Sequence, residues 1–281
     1  MTAPLSALDH IVVGARDLDA AHKTWRGLGF TLTPRGAHDG GATANHCLMF
    51  GESYLELLAP TGAGTSALAS AVGARGDGGL GLAFKSDDAT ATAHALRDAG
   101  VTAHDPVALS RPLQLDGTTH RVAFENVMFE GNLPGLFTFA CRHATPELTR
   151  ARHEWQLHAN TATGIEEIVL RAADPAIYRK PLEALFGFAR VADGPHGINV
   201  VLENLGLAVM TDVGLRERFG TKALTGLPAA PIIAAVSFRV SEADAAGAML
   251  DMGRVSYDDH HSGLVVPAAV AGGVIVEFTD D

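Results

Sequence analysis

The sequence predicts an α+β chain assembled from four copies of a single βαβββ unit. Three observations carry that prediction. A strand-like phrase returns four times, each return is followed by a helix cap, a helix and a glycine stop, and the closing strands of different units overlay without a gap. At 281 residues, 47% hydrophobic and 19% charged, the chain has material for two ordinary domains.

The first unit opens with a strand at Leu8–Val13, and Asp17 caps a helix over Leu18–Leu28 that Gly27 and Gly29 stop. Apolar runs at Phe30–Leu32, His46–Phe50 and Tyr54–Leu58, separated by glycine-rich turns, predict three further strands. The second unit repeats this with a strand at Leu80–Phe84, a cap at Asp87 or Asp88 and a helix over Ala89–Ala99. Its strands follow around Val107–Leu109, Thr119–Phe124 and Leu136–Cys141. The third opens at Ile165, with Asp174 as cap and Pro175 in the first helical position, where its missing N–H costs nothing. Pro181 is expected to kink or shorten that helix. The fourth opens at Ile233–Val240, with Ser241 capping a helix to Gly253, Asp244 completing an imperfect capping box, and a last strand at Val274–Phe278. Thr145–Thr163 fits neither period, so the expected organisation is an N-terminal domain over 1–144, a connector over 145–163 and a C-terminal domain over 164–281.

The overlay of closing strands sets a register. Met49–Leu58 matches Val201–Met210, and Ile275–Phe278 matches Tyr54–Leu57, so Glu56 corresponds to Ala208 and to Glu277. Counting back from the caps, His10 corresponds to Leu80 or Gly81, to Glu167 and to Ala235.

Composition excludes several classes of function. A formal charge of −11 with scattered lysines and arginines argues against nucleic acid or an anionic membrane as partner. The apolar runs are too short to span a bilayer, and Met1–Ala7 carries no signal-peptide pattern. Cys47 and Cys141 each lie in an apolar run and read as buried thiols, which fits a cytoplasmic protein. No phosphate loop, nucleophile elbow or His-Glu-x-x-His helix is present in the sequence.

The chemistry-bearing candidates are few. Strand alternation sets Leu8, His10 and Val12 on one face, Asp9, Ile11 and Val13 on the other, and joins Tyr54, Glu56 and Leu58 on one face. A carboxylate among buried leucines needs a cation, a donor or a raised pKa. His10 and Glu56 therefore read either as ligands of a divalent metal (Zn, Mn, Fe or Ni) or as a buried hydrogen-bonded pair. His46, His120 and His143 sit at strand ends where each could complete the site, whereas His22, His38, His94, His104 and His196 read as surface loop residues. Glu167 and Glu277 form a second carboxylate pair, with Glu167 read as solvent-facing. His260 and His261, being adjacent on a strand, are discounted as a metal pair. Arg111 and Arg121 are candidate anchors for a substrate carboxylate or phosphate.

Leu8-Asp9-His10-Ile11-Val12-Val13, Asp17-Leu18-Asp19-Ala20 and Tyr54-Leu55-Glu56-Leu57-Leu58 together resemble the vicinal oxygen chelate superfamily, and more narrowly its glyoxalase-like branch. Ala44–Phe50, Cys141–Leu148 and His158-Ala159-Asn160 resemble segments of long, two-domain members of that branch. The resemblance implies four βαβββ modules paired into two half-open barrel domains, with metal ligands drawn from first and last strands and a metal-stabilised enolate as intermediate. His10 and Glu56 match ligand positions in the first half. Leu80 or Gly81 and the residue near Thr138 do not. Glu167 and Glu277 match in the second half, where Ala208 and Ala235 do not.

The expected function is a metal-dependent lyase or isomerase acting on a small oxygenated metabolite. His10, Glu56 and His46 are the expected ligands, Glu56, His143 and Arg121 the catalytic set, and His120, Glu167 and Glu277 secondary candidates. The alternative is a metal-free protein that sequesters an aromatic or drug-like ligand in an apolar cleft lined by Tyr54, Phe137 and Phe139. An extradiol-type dioxygenase is disfavoured by the missing histidines. A small molecule is the expected partner, and a homodimer the assembly considered.

Overall fold

In the computed structural model the first strand of every unit pairs antiparallel with its counterpart in the neighbouring unit and parallel with a last strand. The structure describes residues 3–38, 40–63, 67–229, 232–260 and 262–280, so His261 lies outside the described residues. The first unit comprises β1 (Leu8–Gly14), α1 (Leu18–Gly27), β2 (Gly36–Ala37), β3 (Thr43–Met49) and β4 (Tyr54–Pro60). After α2 (Ala67–Arg75), the second comprises β5 (Gly78–Lys85), α3 (Ala89–Asp98), β6 (Thr102–Ala103), β7 (Val107–Leu115), β8 (Thr118–Glu130) and β9 (Phe137–His143). A short α4 (Pro146–Thr149) and a 3-10 turn at His153–Gln156 lead to the third unit. That unit holds β10 (Ala162–Arg171), α5 (Arg179–Phe186), β11 (Val191–Gly194), β12 (Gly197–Val201) and β13 (Gly206–Met210). α6 (Asp212–Phe219) precedes the fourth: β14 (Ile232–Val240), α7 (Ala243–Met252), β15 (Asp258–His260), β16 (Gly263–Val266) and β17 (Ile275–Asp280). This is the α+β architecture of four βαβββ units, two to each half, the second carrying the two-residue β6 as an extra strand.

Local chemistry accounts for the helices. The Asp17 carboxylate accepts from the N–H groups of Asp19 and Ala20 at 2.9 and 3.0 Å, and Asp88 and Asp174 cap in the same way. The Ser241 capping box does not form: the cap residue is Glu242, without a side-chain bond. Pro181 acts as expected in shortening its helix. A 3-10 turn occupies Pro175–Tyr178, and α5 starts afresh two residues before the proline, in a first turn whose N–H groups lack partners anyway. Phe30–Leu32 forms no strand.

Two kinds of interior result. Leu8, Ile11, Val13, Leu55 and Leu57 face the helices in a core that runs through both halves, with Trp25, Phe30, Phe238 and Phe278 among its largest members. The opposite faces line the two barrel interiors. That of the first half holds Val12, Leu58, Ala83, Phe139 and Cys141, with Cys47, Met49, Leu113 and Val122 further along. That of the second half is filled by α6, which buries Leu215 and Phe219 against Val169, Ala208 and Ala235.

The halves are joined close to β1. Asn204 holds the backbone of Leu8 from both sides, accepting from its N–H at 3.0 Å and donating to its carbonyl at 2.8 Å. Gly79 meets Ile233 so closely that a Cβ there would strike the isoleucine backbone, which ties β5 to β14. In the connector, the N–H of Thr31 donates to His158 Nδ1, His158 Nε2 donates to the Met49 carbonyl, and Asn160 donates to Leu28. The His-Ala-Asn segment is thus a structural clasp.

Candidate active site in the first half

A β-bulge decides what enters the first barrel. Leu8 pairs with Phe84 and His10 with Ala83, leaving Asp9 as the extra residue between them. The alternation slips there, so Leu8 joins Ile11 in the helix-side core while Asp9 and His10 both turn inward. The expectation that Asp9 and His10 face opposite ways, with Leu8 beside His10, is corrected by this bulge. β10 repeats the device: Ile165 pairs with Phe238 and Glu167 with Ser237, leaving Glu166 between.

His10 and Glu56 meet in this interior, 4% and 7% exposed. Val12 lies opposite Glu56 and His10 opposite Tyr54, whose ring stacks on the imidazole at 4.4 Å. His10 Nδ1 donates to Asp9 at 2.6 Å, which leaves Nε2 directed at Glu56 Oε2, 3.9 Å away. Glu56 Oε1 accepts from Asn45 at 2.5 Å and lies 3.7 Å from His38 Nε2, whose Nδ1 is held by Thr43 at 3.0 Å. His38, read from sequence as a surface residue, is therefore half-buried and part of the cluster. Asn45 enters because β3 sets it opposite Leu58, two pairs along from Glu56 and Cys47 and so on the same face.

His143 stands behind this pair. Phe139, Cys141 and His143 alternate inward on β9, and His143 Nε2 lies 3.1 Å from both oxygens of Asp9 while Nδ1 is 3.2 Å from the Thr149 hydroxyl. Asp9 thus receives both imidazoles. Burial opposes its charge, but the bonds and charges of His10 and His143 outweigh burial and hold its pKa well below the usual carboxylate range. Burial, reinforced by Asp9 and Glu56, pushes the Cys141 thiol well up, and burial with Glu56 raises that of Cys47 to about 12. Both thiols stay protonated.

The other sequence candidates lie elsewhere. His46 faces away from the barrel, between Ala44 and Leu48 of the helix-side core, bonded through Nδ1 to the Thr33 carbonyl at 2.8 Å and packed on His22. The face of β3 reverses at each residue, so His46 cannot join a centre that takes Asn45 and Cys47. His120 shares the inward face of β8 but sits opposite Leu113, near the hairpin end. Arg121 is exposed on the outward face of β8. The inward arginine is Arg111, opposite Val122, half-buried with its guanidinium beside Gly36.

In the second half Glu167 is not solvent-facing. It and the fully buried Glu277 are both paired with Arg218 of α6, at 2.8 Å for Glu277, while Arg218 reaches Ser237 at 3.2 Å. Burial disfavours the Arg218 cation, but Glu277 and Glu167 outweigh it and raise its pKa. A guanidinium already occupies the place a metal would need, and the Glu167–Glu277 pair is accounted for without one.

Two donor sets could take a cation in the first half. Asp9, Cys141 and His143 offer atoms within 4.8 Å of one another, yet both Asp9 oxygens already accept hydrogen bonds. His10 Nε2 and His38 Nε2 form the second set, each facing a different oxygen of the Glu56 carboxylate. Each imidazole has its other nitrogen anchored, and at 3.9 and 3.7 Å its Nε2 stands outside hydrogen-bond reach of the carboxylate, so that an ion bridging each pair at about 2.0–2.2 Å would draw the side chains closer.

Comparison with known proteins agrees with this architecture. A glyoxalase-like domain family model matches residues 8–197. A hypothetical protein from Staphylococcus aureus has a similar structure (TM-score 0.68, 13% identity, covering 98% of this chain and 99% of that one). So has a variant of 4-hydroxymandelate synthase from Streptomyces coelicolor (TM-score 0.61, 13% identity, 99% and 93%). A Streptomyces coelicolor methylmalonyl-CoA epimerase variant matches half of the chain (TM-score 0.40, 26% identity, 50% and 96%). No curated protein matches. Among the described residues no helix is long and apolar enough to cross a membrane.

Proposed function

The chain belongs to the glyoxalase-like domain family, and from that membership we propose that its first half is a metal-dependent lyase or isomerase centre acting on a small oxygenated metabolite. The observation that carries this reading is the convergence of His10 and Glu56, from opposite ends of one unit, with the Nε2 of His10 aimed at the carboxylate and its Nδ1 fixed by Asp9. His10, His38 and Glu56 would hold the cation. Bound there, a divalent metal supplies a Lewis acid that polarises a carbonyl oxygen and acidifies the adjacent C–H.

The protein's own groups divide the remaining work. Asp9 fixes the tautomer and orientation of His10, an outer-shell role common beneath metal-binding imidazoles. His143, itself held by Thr149, holds Asp9 in turn, so His143 is a positioning residue rather than a ligand. Glu56 is the proton acceptor, with Asn45 fixing one of its oxygens. Tyr54 and Phe139 pack on His10 and exclude water from the centre. The second half, its interior closed by α6 and Arg218, serves as a scaffold.

Metal analysis of purified wild type, His10→Ala, Glu56→Gln and His46→Ala tests the assignment. One divalent ion per chain is expected in wild type and His46→Ala, with most of it lost from the other two. Equal metal content in wild type, His10→Ala and Glu56→Gln would overturn it.

A further inference from the structure

The β7–β8 hairpin presents an inward face that the metal centre leaves unused. Along it run Val107, Leu109, Arg111 and Leu113 of β7, facing Asn126, Phe124, Val122 and His120 of β8. Three features of this face call for a ligand. Val107 and Leu109 are 51% and 42% exposed although their strand neighbour Leu113 is buried, so the barrel is open at this end. The Asn126 Oδ1 is sequestered from solvent and is the one such side-chain atom among the described residues without a hydrogen-bond partner. Arg111 pairs with no carboxylate among the described residues, and its guanidinium and the Asn45 side chain that bonds Glu56 both border Gly36.

Between the two polar groups lies Phe124, whose ring stands 6.4 Å edge-on from that of His38. The face thus reads, in order, as a cation, an aromatic and apolar platform, and a lone acceptor. The Arg111–Val122 and Val107–Asn126 pairs are four residues apart, roughly 13 Å along the strands.

We infer that this hairpin is the substrate wall, and that it selects a carboxylic acid with an apolar middle and a hydrogen-bond donor at its far end. Arg111 takes the carboxylate, Val107, Leu109 and Phe124 the middle, and Asn126 Oδ1 the donor. The inference rests on the first-half centre proposed above and adds the substrate class. A carboxylate on Arg111 brings the adjoining carbons beside Asn45 and Glu56, where the proton acceptor stands. Asn126, opposite Cys141 on β9, sits at the other end, and its orphaned oxygen penalises any ligand that brings no donor.

Calorimetric titration with 6-hydroxyhexanoate, hexanoate and methyl 6-hydroxyhexanoate tests it, using wild type, Arg111→Lys, Arg111→Gln and Asn126→Leu. Wild type is expected to bind the hydroxy acid at least about tenfold more tightly than either of the others, as a charge-assisted or rescued buried hydrogen bond would give. Arg111→Gln should reduce the hydroxy acid to the affinity of its ester, with Arg111→Lys intermediate. Asn126→Leu should reduce it to that of hexanoate and leave hexanoate unweakened. Failure of wild type to bind any acid, to rank the three in this way, or to lose the ranking in the variants overturns the inference. Metal content measured on the same samples separates the two readings. A lost ranking in metal-replete protein removes the wall alone, and an intact ranking in protein that holds no metal removes the centre alone.

Discussion

Asp9 accepts a hydrogen bond of 2.6 Å from the ring of His10, its immediate neighbour on the same strand. Adjacent strand residues ordinarily point to opposite faces, and the bulge at Asp9 is what lets both enter the barrel. One extra residue thereby builds an imidazole with its orienting carboxylate. Asp9→Asn should preserve the packing but let the ring turn, and metal affinity measured against a competing chelator should fall about 10–100-fold.

The second half makes the complementary prediction. Glu277 has no exposed surface, and Arg218 is its cationic partner. Arg218→Met strands a buried carboxylate and should destabilise the protein by about 3–5 kcal/mol in urea unfolding. Adding Glu277→Gln and Glu167→Gln should recover much of the loss. A single variant as stable as wild type would mean the pair contributes nothing.

His158 makes stability depend on pH. Burial lowers its pKa to about 4, partly offset by its bond to the Met49 carbonyl, and its Nδ1 must stay unprotonated to accept from Thr31. Unfolded, it titrates near 6.5. Between those values the unfolded chain binds the proton that the native chain refuses, so stability rises with pH there. The contribution is complete above about 6.5 and is lost as pH falls to about 4, on the order of 3 kcal/mol in all. His158→Gln should flatten that slope in denaturant titrations across pH 4–7, with lower stability at pH 7.

Gly36 leaves room for the centre. A Cβ there would collide with Asn45 Oδ1 and press on the Arg111 guanidinium at 3.2 Å. Gly36→Ala should cost about 1–3 kcal/mol and displace Asn45 from Glu56. Metal retention, compared with that of an alanine substitution at the open position Gly51, reads the second effect.

The architecture is legible in the sequence because its signals are local and repeated. Asp17, Asp88 and Asp174 cap as their spacing predicts, and the overlay of Tyr54 on Gly206 appears as the pairing of His10 with Tyr54 and of Glu167 with Gly206. His10 and Glu56 are legible for the same reason. The bulge is not, since strict alternation hides it. The available signal is two polar neighbours between buried apolar residues spaced three apart, Leu8 and Ile11 or Ile165 and Ile168. His38 lies in a glycine-rich segment with no periodicity, so only the folded chain brings it to Glu56. α6 buries Leu215 and Phe219 but exposes Val213, Arg216 and Glu217, so it carries no clean one-sided stripe, which is why Arg218 gives no warning of its role.

The clamp of Asn204 on Leu8 has a consequence for dividing the chain. Leu8 directly precedes the bulge, and the residue that grips its backbone on both sides belongs to the other half. Arg190 and the N–H of Glu203 add bonds to the Ser6 carbonyl, the former at 3.2 Å and the latter at 2.9 Å. The duplicated halves are therefore not interchangeable modules joined by a tether. A fragment ending before the connector would keep every donor of the centre but lose the brace that holds Asp9 and His10 in step, and mixing it with the complementary fragment is the route by which the centre would be restored.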